Sequence, residues 1–411
     1  MCLGFGRERC NLGRSRGYSI FIVYMAEIIF KRALHPIGQG AFFTEQFFED
    51  GKCIFNVVYD CGELRTNKHL IREIDNTLNV TDAPEVIDVM FISHLDEDHI
   101  SGVDVLIDKG CLTKDSVVVL PLHYPLVLKL ILDHYKSIGP NSFAGGEYDG
   151  LMRLFDSEAK ILGIDDNIEP VPNDPRGQDE GLMNIPAYSQ LKSMQPLFYK
   201  SLWYYLPFNT ILDDDRYQKF QDALKNAHID ADQLANITYV KQVLDKLIDI
   251  YQNLPKSING VTAINVNSLN VLSYAARDEE LGDWWINYLG DYLMWHYPWE
   301  PLACDCRCSC LYTGDSVMDA HFEKCLESLI QYITPYIGML QIPHHGRKSC
   351  YDWAIAGRKE ILTGFTNFNS THKANKFVMQ IVHDFSVTNR PFFQVTEYYH
   401  SRLEMYVHLK R

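Results

Sequence analysis

The sequence lacks a hydrophobic run long enough to span a membrane. No window contains the roughly 18 consecutive apolar residues that a transmembrane helix needs, and the most apolar N-terminal segment, "YSIFIVYMAEIIF", is interrupted by Glu27. Four arginines precede that segment, but no small-residue cleavage site follows it, so the pattern of a signal peptide is incomplete. We therefore expect a cytoplasmic protein with no membrane partner, in which residues 1–24 are a disordered extension or a start-codon artefact.

Net positive charge is also absent, since the 411 residues carry a formal net charge of −15. A protein that binds nucleic acid through its overall field is usually basic, so a polyanionic substrate would have to be bound at a local site. Bound divalent cations would supply positive charge locally; the alternative is that the acidity only keeps the protein soluble. The 11 cysteines are odd in number and dispersed, which favours reduced thiols over a disulfide framework.

Short apolar runs divided by turn signals fill residues 26–125 and predict β-strands: "AEIIFKRAL", "GAFFTEQFF", "CIFNVVYDCG", "VIDVMFISH" and "SVVVLPL". The nearly continuous run "VIDVMFI" is typical of a strand covered on both faces, as in layered α/β folds. Residues 126–258 contain segments with helical spacing, such as "DDRYQKFQDALKNA", and we expect a mostly helical insertion there. Strand-like sequence returns in 259–411, where "PFFQVTEYYHSRLEMYVHL" predicts a closing hairpin.

The stretch "FISHLDEDHISG" places His94, Asp96, Asp98 and His99 directly after a predicted buried strand. Burial of so many carboxylates and imidazoles is costly unless cations lie among them. Side chains at i and i+2 of an extended segment point the same way, so His94 and Asp96 can reach one ion. The turn that follows can direct Asp98 and His99 towards a second position. The alternative is a solvated polar loop, which four ligand-type residues within six positions disfavour.

Further candidate ligands come from later segments. Asp315, in "LYTGD", ends another predicted strand, where its carboxylate could bridge two cations. His344 and His345, in "LQIPHHGRKS", follow an apolar strand and point to opposite sides, so one would ligate a metal while the other donates to substrate or supports a ligand. His372, in "NSTHKAN", is a fourth candidate. The sequence thus predicts a metal site assembled from distant segments.

In type and order, these motifs resemble those of metallo-β-lactamase-fold hydrolases, and among them the soluble ComEC-type branch of bacterial competence proteins. The motifs are "HPIGQGAFFTE", "VVYDCG", "SHLDEDHISG", "VNSLNVLSY", "LYTGD" and "IPHHGRKS". The resemblance covers most of 26–411 apart from the insertion and about 275–300. It implies an αββα sandwich with its first half in 26–125 and its second half in 259–411. It also implies a two-metal site and hydrolysis, commonly of phosphodiesters.

The resemblance implies specific roles for the candidate residues. One ion would lie between His94 and Asp96, a second between Asp98 and His99, with Asp315 as the bridge and His344 or His345 completing the set. Asp98 could instead orient the reactive water or shuttle its proton, so Asp98 and His345 are the catalytic candidates. Many proteins of this fold have histidine where Asp96 stands, and the extra carboxylate shifts preference from Zn²⁺ towards Mn²⁺ or Mg²⁺. We therefore expect two divalent ions, manganese or zinc, with magnesium also compatible.

The sequence departs from the ComEC-type pattern at Ala41, at Ser101–Gly102 and after the paired histidines. There Arg347 and Lys348 replace an expected serine, and they are candidates for clamping a phosphate, unless their loop is merely solvated. A metal-dependent phosphodiesterase or nuclease is the favoured function, with a phosphodiester or nucleic acid as substrate. One alternative is a hydrolase of another ester. The other is a component of a bacterial defence or toxin system, in which 126–258 binds a companion protein or forms a homodimer.

Overall fold

A computed structural model gives the architecture of the chain. The residues that it describes are 28–79, 84–121, 127–130, 149–165, 187–200, 202–209, 215–234, 236–253, 257–258, 261–262, 268–276, 281–288, 308–370 and 377–409. The N-terminal extension expected at 1–24 lies outside these ranges, and so does His372.

The first of two central sheets has the strand order β13-β18-β1-β2-β3-β4-β5-β6-β7. From β3 to β7 neighbouring strands are parallel, whereas β1, β2, β3, β13 and β18 pair antiparallel. The strands are β1 (Ile28–Leu34), β2 (Gly40–Glu49), β3 (Lys52–Glu63), β4 (Val89–Phe91), β5 (Val117–Val119), β6 (Lys160–Asp165), β7 (Gln190–Lys192), β13 (Leu281–Tyr288) and β18 (Leu403–Leu409).

The second sheet has the order β17-β16-β15-β14-β12-β9-β8, and its strands β14 to β17 are parallel. It contains β8 (Leu197–Tyr199), β9 (Trp203–Asn209), β12 (Leu269–Ala275), β14 (Cys310–Tyr312), β15 (Ile337–Gln341), β16 (Ile361–Asn367) and β17 (Phe392–Val395). A separate two-stranded pair is formed by β10 (Ser257–Ile258) and β11 (Val261–Thr262).

The described residues also form helices, most of which pack on the outer faces of the two sheets. They are α1 (Lys68–Leu78), α2 (Glu97–Ile100), α3 (Val103–Asp108), α4 (Asp149–Asp156), α5 (Asp215–Asn226), α6 (Ile237–Asn253), α7 (Ala320–Tyr332), α8 (Trp353–Ala356) and α9 (Val378–Val387). In α1, Leu70, Ile74 and Leu78 recur every four residues and bury one face, each contributing roughly 1.5–3 kcal/mol. Within the described part of the chain, every helix is too short or too polar to cross a lipid bilayer.

Three apolar clusters define the layers. One lies between the sheets and includes alternate residues of β18, from Leu403 to Leu409. The second packs α1, α3 and α4 on the first sheet, and the third packs α7, α8 and α9 on the second sheet. The order of layers is therefore helix, sheet, sheet, helix, which confirms the α/β sandwich expected from the sequence.

The structure differs from the expected content of 126–258. Strands β6 to β9 lie within that range and extend the two central sheets. Much of the described part of 160–209 therefore belongs to the sandwich. These strands are difficult to predict from sequence, because β7 and β8 have three residues each and β9 contains Pro207, which is unusual inside a strand. Helices α5 and α6 pack around their own apolar cluster, which includes Phe220, Leu224 and Leu247. The boundaries of the insertion stay a prediction.

The closing hairpin predicted for the C-terminal segment is wrong. β17 pairs with β16 in the second sheet, whereas β18 pairs with β1 and β13 in the first sheet. The connection 396–402 therefore crosses from one sheet to the other. Two apolar runs separated by a turn have the same local pattern whether they pair with each other or with distant strands, so the sequence could not identify the partners.

Candidate metal centre

The predicted ligands gather where parallel strands of both sheets end. His94, Asp96, Asp98 and His99 follow β4 of the first sheet and lie in or next to the short helix α2. Asp315 follows β14, and the paired histidines follow β15, in the second sheet. Carboxyl ends of parallel strands meet at one edge of a sheet, and the two edges face each other here. The sandwich thus brings three distant segments to one place.

The first group of donors consists of His94, His99 and Asp315, whose ligand atoms all lie within 4.8 Å of one another. His94 Nε2 is 3.6 Å from Asp315 Oδ2, and His99 Nε2 is 3.4 Å from Asp315 Oδ1. Both Nε2 atoms are buried and have no hydrogen-bond partner among the described residues. An unsatisfied buried polar atom costs about 1–3 kcal/mol. A cation bound between these atoms would remove that cost, so the residues present fit a metal ion.

The second group consists of Asp98, His99 and His345. His345 Nε2 lies 3.0 Å from Asp98 Oδ2, while its Nδ1 lies 2.9 Å from the backbone carbonyl of Asn367. Because a carbonyl only accepts hydrogen bonds, Nδ1 donates and Nε2 is directed towards Asp98. His99 belongs to both groups, which places two donor clusters side by side. Asp98 and His99 thus lie close together, as the sequence led us to expect, and their joint ligation of one ion stays a prediction.

Asp60 is a site residue that the sequence analysis missed. It is fully buried, and its Oδ2 lies 2.8 Å from His99 Nδ1. Asp60 also accepts hydrogen bonds from the amide and the hydroxyl of Ser93, at 2.6 and 2.7 Å. It occupies a β-bulge, between the pairs Phe42–Cys61 and Phe43–Tyr59, with φ of 56°. The bulge turns the carboxylate towards His99, so that Nε2 of that ring is left for a ligand. The signal in the sequence was an aspartate two residues before a glycine in "VVYDCG", a motif to which the sequence analysis assigned no ligand or supporting role.

The paired histidines have different surroundings. His344 Nδ1 lies 3.3 Å from Asp315 Oδ2 and 3.5 Å from Cys350 Sγ, and its Nε2 lies 3.2 Å from a guanidinium nitrogen of Arg347. His344, His345 and Gly346 have φ values of 51°, 52° and 77°, three successive left-handed residues. Such a run costs of order 1 kcal/mol or more per non-glycine residue and is typical of functional loops.

Three predicted residues have less central positions. Asp96 Oδ2 lies 3.6 Å from His94 Nε2, but the side chain is 38% exposed and belongs to neither donor group. Arg347 and Lys348 are exposed on the loop after the histidines, and Arg347 contacts His344. The position of His372 lies outside the described residues.

The electrostatics of the centre favour cations. Burial by itself would raise the pKa of Asp315, but the charges of His94 and His99 outweigh it and hold that pKa well below its usual range. Burial would lower the pKa of His99, yet the carboxylates of Asp60 and Asp315 raise it well above the usual value. Without a metal, His99 therefore carries a proton among carboxylates, and a metal ion would displace that proton.

Neither a protein-family model nor a curated protein sequence matches this chain. One solved structure that does match is the metallo-β-lactamase fold protein YhfI from Bacillus subtilis. The match covers 90% of this chain and 97% of that chain, with 11% sequence identity and a TM-score of 0.37. Because the identity and the TM-score are both low, the function of this chain is inferred from its own donor groups.

Proposed function

We propose that this protein is a metal-dependent hydrolase that acts on phosphodiesters. The observation that supports the proposal is the pair of adjacent donor groups that share His99, in which two buried imidazole nitrogens have no hydrogen-bond partner in the described part of the chain. Two neighbouring groups of this kind suit a pair of divalent ions. The donor set mixes carboxylates, which suit Mn²⁺ and Mg²⁺, with imidazoles, which suit Zn²⁺. Mn²⁺ or Zn²⁺ would therefore occupy the site, and Mg²⁺ is compatible.

The residues would divide between two ions. His94, Asp96 and Asp315 would hold one, and Asp98, His99 and His345 the other, with Asp315 close enough to both sets to bridge. When bound, two divalent ions lower the pKa of water and stabilise charge on a transferring phosphoryl group.

The chain supplies orientation and proton transfer. As an alternative to ligation, the carboxylate of Asp98, 3.0 Å from His345 Nε2, could orient the attacking water and accept its proton. Arg347 is exposed and contacts His344, and its planar guanidinium could donate two hydrogen bonds to two oxygens of one phosphate. Lys348, on the same loop, would add a positive charge. The motif likeness to the soluble ComEC-type branch favours the same substrate class.

The proposal is tested by measuring metal content and hydrolysis together. Protein never exposed to chelator is analysed for bound elements, and turnover of a small phosphodiester is measured with Mn²⁺, Mg²⁺ or Zn²⁺ added. Asp315→Asn and Asp96→Ala should each lower both metal content and turnover, Asp315→Asn more strongly because Asp315 is buried beside His94 and His99. Wild-type levels of both in either variant would contradict the two-ion arrangement.

Lactones, thioesters and phosphocholine esters serve as comparison substrates. If metal-loaded protein hydrolyses one of these and no phosphodiester, the centre is a hydrolase of another ester. If Arg347→Ala leaves the specificity constants for a small diester and for a polynucleotide unchanged, Arg347 has no part in substrate binding.

A further inference from the structure

The connection 396–402 lies at the same edge of the second sheet as the metal centre. β14, β15, β16 and β17 are parallel neighbours, so the segments that follow them leave the sheet side by side. The segments after β14 and β15 carry candidate ligands. The end of β16 contacts His345 through the carbonyl of Asn367, and the connection 396–402 follows β17 next to it.

Two sets of contacts join this connection to the centre. Glu397 accepts a hydrogen bond of 2.9 Å from the amide of Ser370, in the segment that follows β16. On the other side, Gly38 approaches Glu397 so closely that an added Cβ would lie 3.3 Å from Glu397 Cβ. A Cβ added at Gly40 would lie 2.9 Å from the backbone oxygen of Asp98. Gly38 and Gly40 lie in one short segment before and at the start of β2, so these contacts link the connection 396–402 to the backbone of Asp98.

Two tyrosines of this connection are exposed although their backbone is fixed. Tyr398 is 46% exposed and Tyr399 is 58% exposed. Ser401 Oγ accepts a hydrogen bond of 2.8 Å from the amide of Thr396 and donates one of 2.7 Å to the carbonyl of Tyr398. The ring of Tyr398 stacks on His400, with centroids 5.7 Å apart and an interplanar angle of 8°.

Exposed aromatic rings on a fixed turn are suited to stacking. A ring that is already held in place loses little conformational entropy when a planar ligand packs on it. Every nucleobase has a π face, so aromatic side chains beside a phosphate site bind unpaired bases with little dependence on sequence. Bases of a duplex are already stacked on each other, so their faces are not available to these rings.

We propose that Tyr398 and Tyr399 form a nucleobase-stacking subsite, so that the substrate is a single-stranded nucleic acid or a nucleotide ester. This inference rests on the proposed phosphodiesterase function, because it assumes that the scissile phosphate lies at the metal centre. The two tyrosines would hold the base next to that phosphate.

Equilibrium binding tests the subsite without hydrolysis. The probe is a short fluorescent oligothymidylate with phosphorothioate linkages, measured by anisotropy with full-length protein in the presence of Mn²⁺. The double variant Tyr398→Ala/Tyr399→Ala should weaken binding by about 5- to 150-fold. Tyr398→Phe/Tyr399→Phe should bind as wild type does, because the ring faces remain. Tyr332→Ala is the matched control, since Tyr332 is 51% exposed at the end of α7, away from the strand ends that carry the centre.

The outcomes separate this inference from the proposed function. An abasic oligonucleotide of the same length should bind the wild type and the double alanine variant equally weakly. Tight binding of the abasic probe, preference for a duplex, or unchanged binding by the double alanine variant would overturn the subsite. Wild type that binds oligothymidylate through the tyrosines but never hydrolyses thymidine 5′-(p-nitrophenyl) phosphate would retain the subsite and contradict the proposed function. If both hold, the double alanine variant raises KM for that ester and leaves kcat/KM for methyl p-nitrophenyl phosphate unchanged.

Discussion

Two buried polar clusters join the two sheets, one between the sheets and one at the edge where their parallel strands end, and they differ in how completely their atoms are paired. In the first, Arg32 of β1 and Glu45 of β2 are direct cross-strand neighbours joined at 2.7 Å. Arg32 also donates to the carbonyl of Cys308 and the hydroxyl of Ser273, and Glu45 accepts from Ser273 and Tyr312. This cluster, here called the interlayer pair, has a partner for each charged atom.

The metal centre is the second cluster, and its pairing is incomplete. Asp60 and Ser93 satisfy one nitrogen of His99, but Nε2 of His94 and of His99 remain without hydrogen-bond partners among the described residues. Both clusters bring residues of one sheet to the other, so burial alone does not separate them. The difference lies in the unsatisfied nitrogens, which mark the second cluster as a place for a ligand.

The largest effect is expected from breaking the interlayer pair. Glu45→Ala leaves the guanidinium of Arg32 buried without its carboxylate, and it should lower the free energy of unfolding by about 3–5 kcal/mol. Asp108→Ala is the control: it removes a partner of Arg153 at 2.5 Å, but the two side chains are 66% and 41% exposed, so the loss should be much smaller. Urea unfolding measures both. Equal losses would show that the interlayer pair is no more important than a surface pair.

A smaller effect is expected from Asp60, which belongs to the metal centre. Asp60→Asn removes the carboxylate that orients His99, so metal affinity should fall by about 10- to 100-fold while the fold persists. Asp88→Asn is a matched control at the other end of β4, where Asp88 accepts a hydrogen bond from the amide of Asn56. Calorimetric titration with Mn²⁺ compares the two. An Asp60→Asn affinity equal to that of Asp88→Asn would remove Asp60 from the centre.

Acid should destabilise a third cluster, in which His35 contacts Glu73. Burial lowers the pKa of His35 to about 4. For Glu73, burial opposes ionisation, but the hydrogen bond and charge of His35 and the charge of Arg402 prevail and lower its pKa to about 2. The unfolded chain binds the extra protons in both cases, so stability falls from about pH 6.5 to 4 for His35 and from about 4.5 to 2 for Glu73. Unfolding midpoints of wild type and His35→Asn measure this, and the variant should show a flatter dependence between pH 6.5 and 4. Identical slopes would contradict the assignment.

The smallest effect is expected on the helical cluster of α5 and α6. Ile237 is 50% exposed at the start of α6, and Ile237→Ser should change the free energy of unfolding by less than about 0.5 kcal/mol. Turnover of a small phosphodiester should stay at the wild-type level if this cluster is a surface for a companion protein or a second copy. A fall in turnover would instead indicate a cap over the metal centre.

The sequence predicted those parts of the molecule whose pattern is local. Strands β1 to β5 have a clear pattern of short apolar runs, and the ligands from His94 to His99 follow a buried strand within six positions. The role of Asp60 was missed because it depends on a β-bulge, which an aspartate two residues before a glycine does not by itself predict. Arg32 and Glu45 have the composition of a solvated strand face, and only the second sheet makes them a buried pair.

The sequence analysis also failed to predict which distant strands pair with each other. The sequences of β17 and β18 resemble a hairpin, yet the two strands enter different sheets, and the connection between them leaves the second sheet at the edge where β14 and β15 also end. The location of Tyr398 and Tyr399 follows from that crossing and not from any local motif.

Direct titration of metal into the wild-type protein tests the central claim. Protein stripped with chelator and returned to buffer is titrated with Mn²⁺ and with Zn²⁺ in a calorimeter, in buffers of different ionisation enthalpy. We expect saturation at two ions per chain with release of protons, because a metal must displace the proton of His99. A well-folded sample that takes up neither ion, or binds them without releasing protons, would contradict a metal centre built around His94, His99 and Asp315.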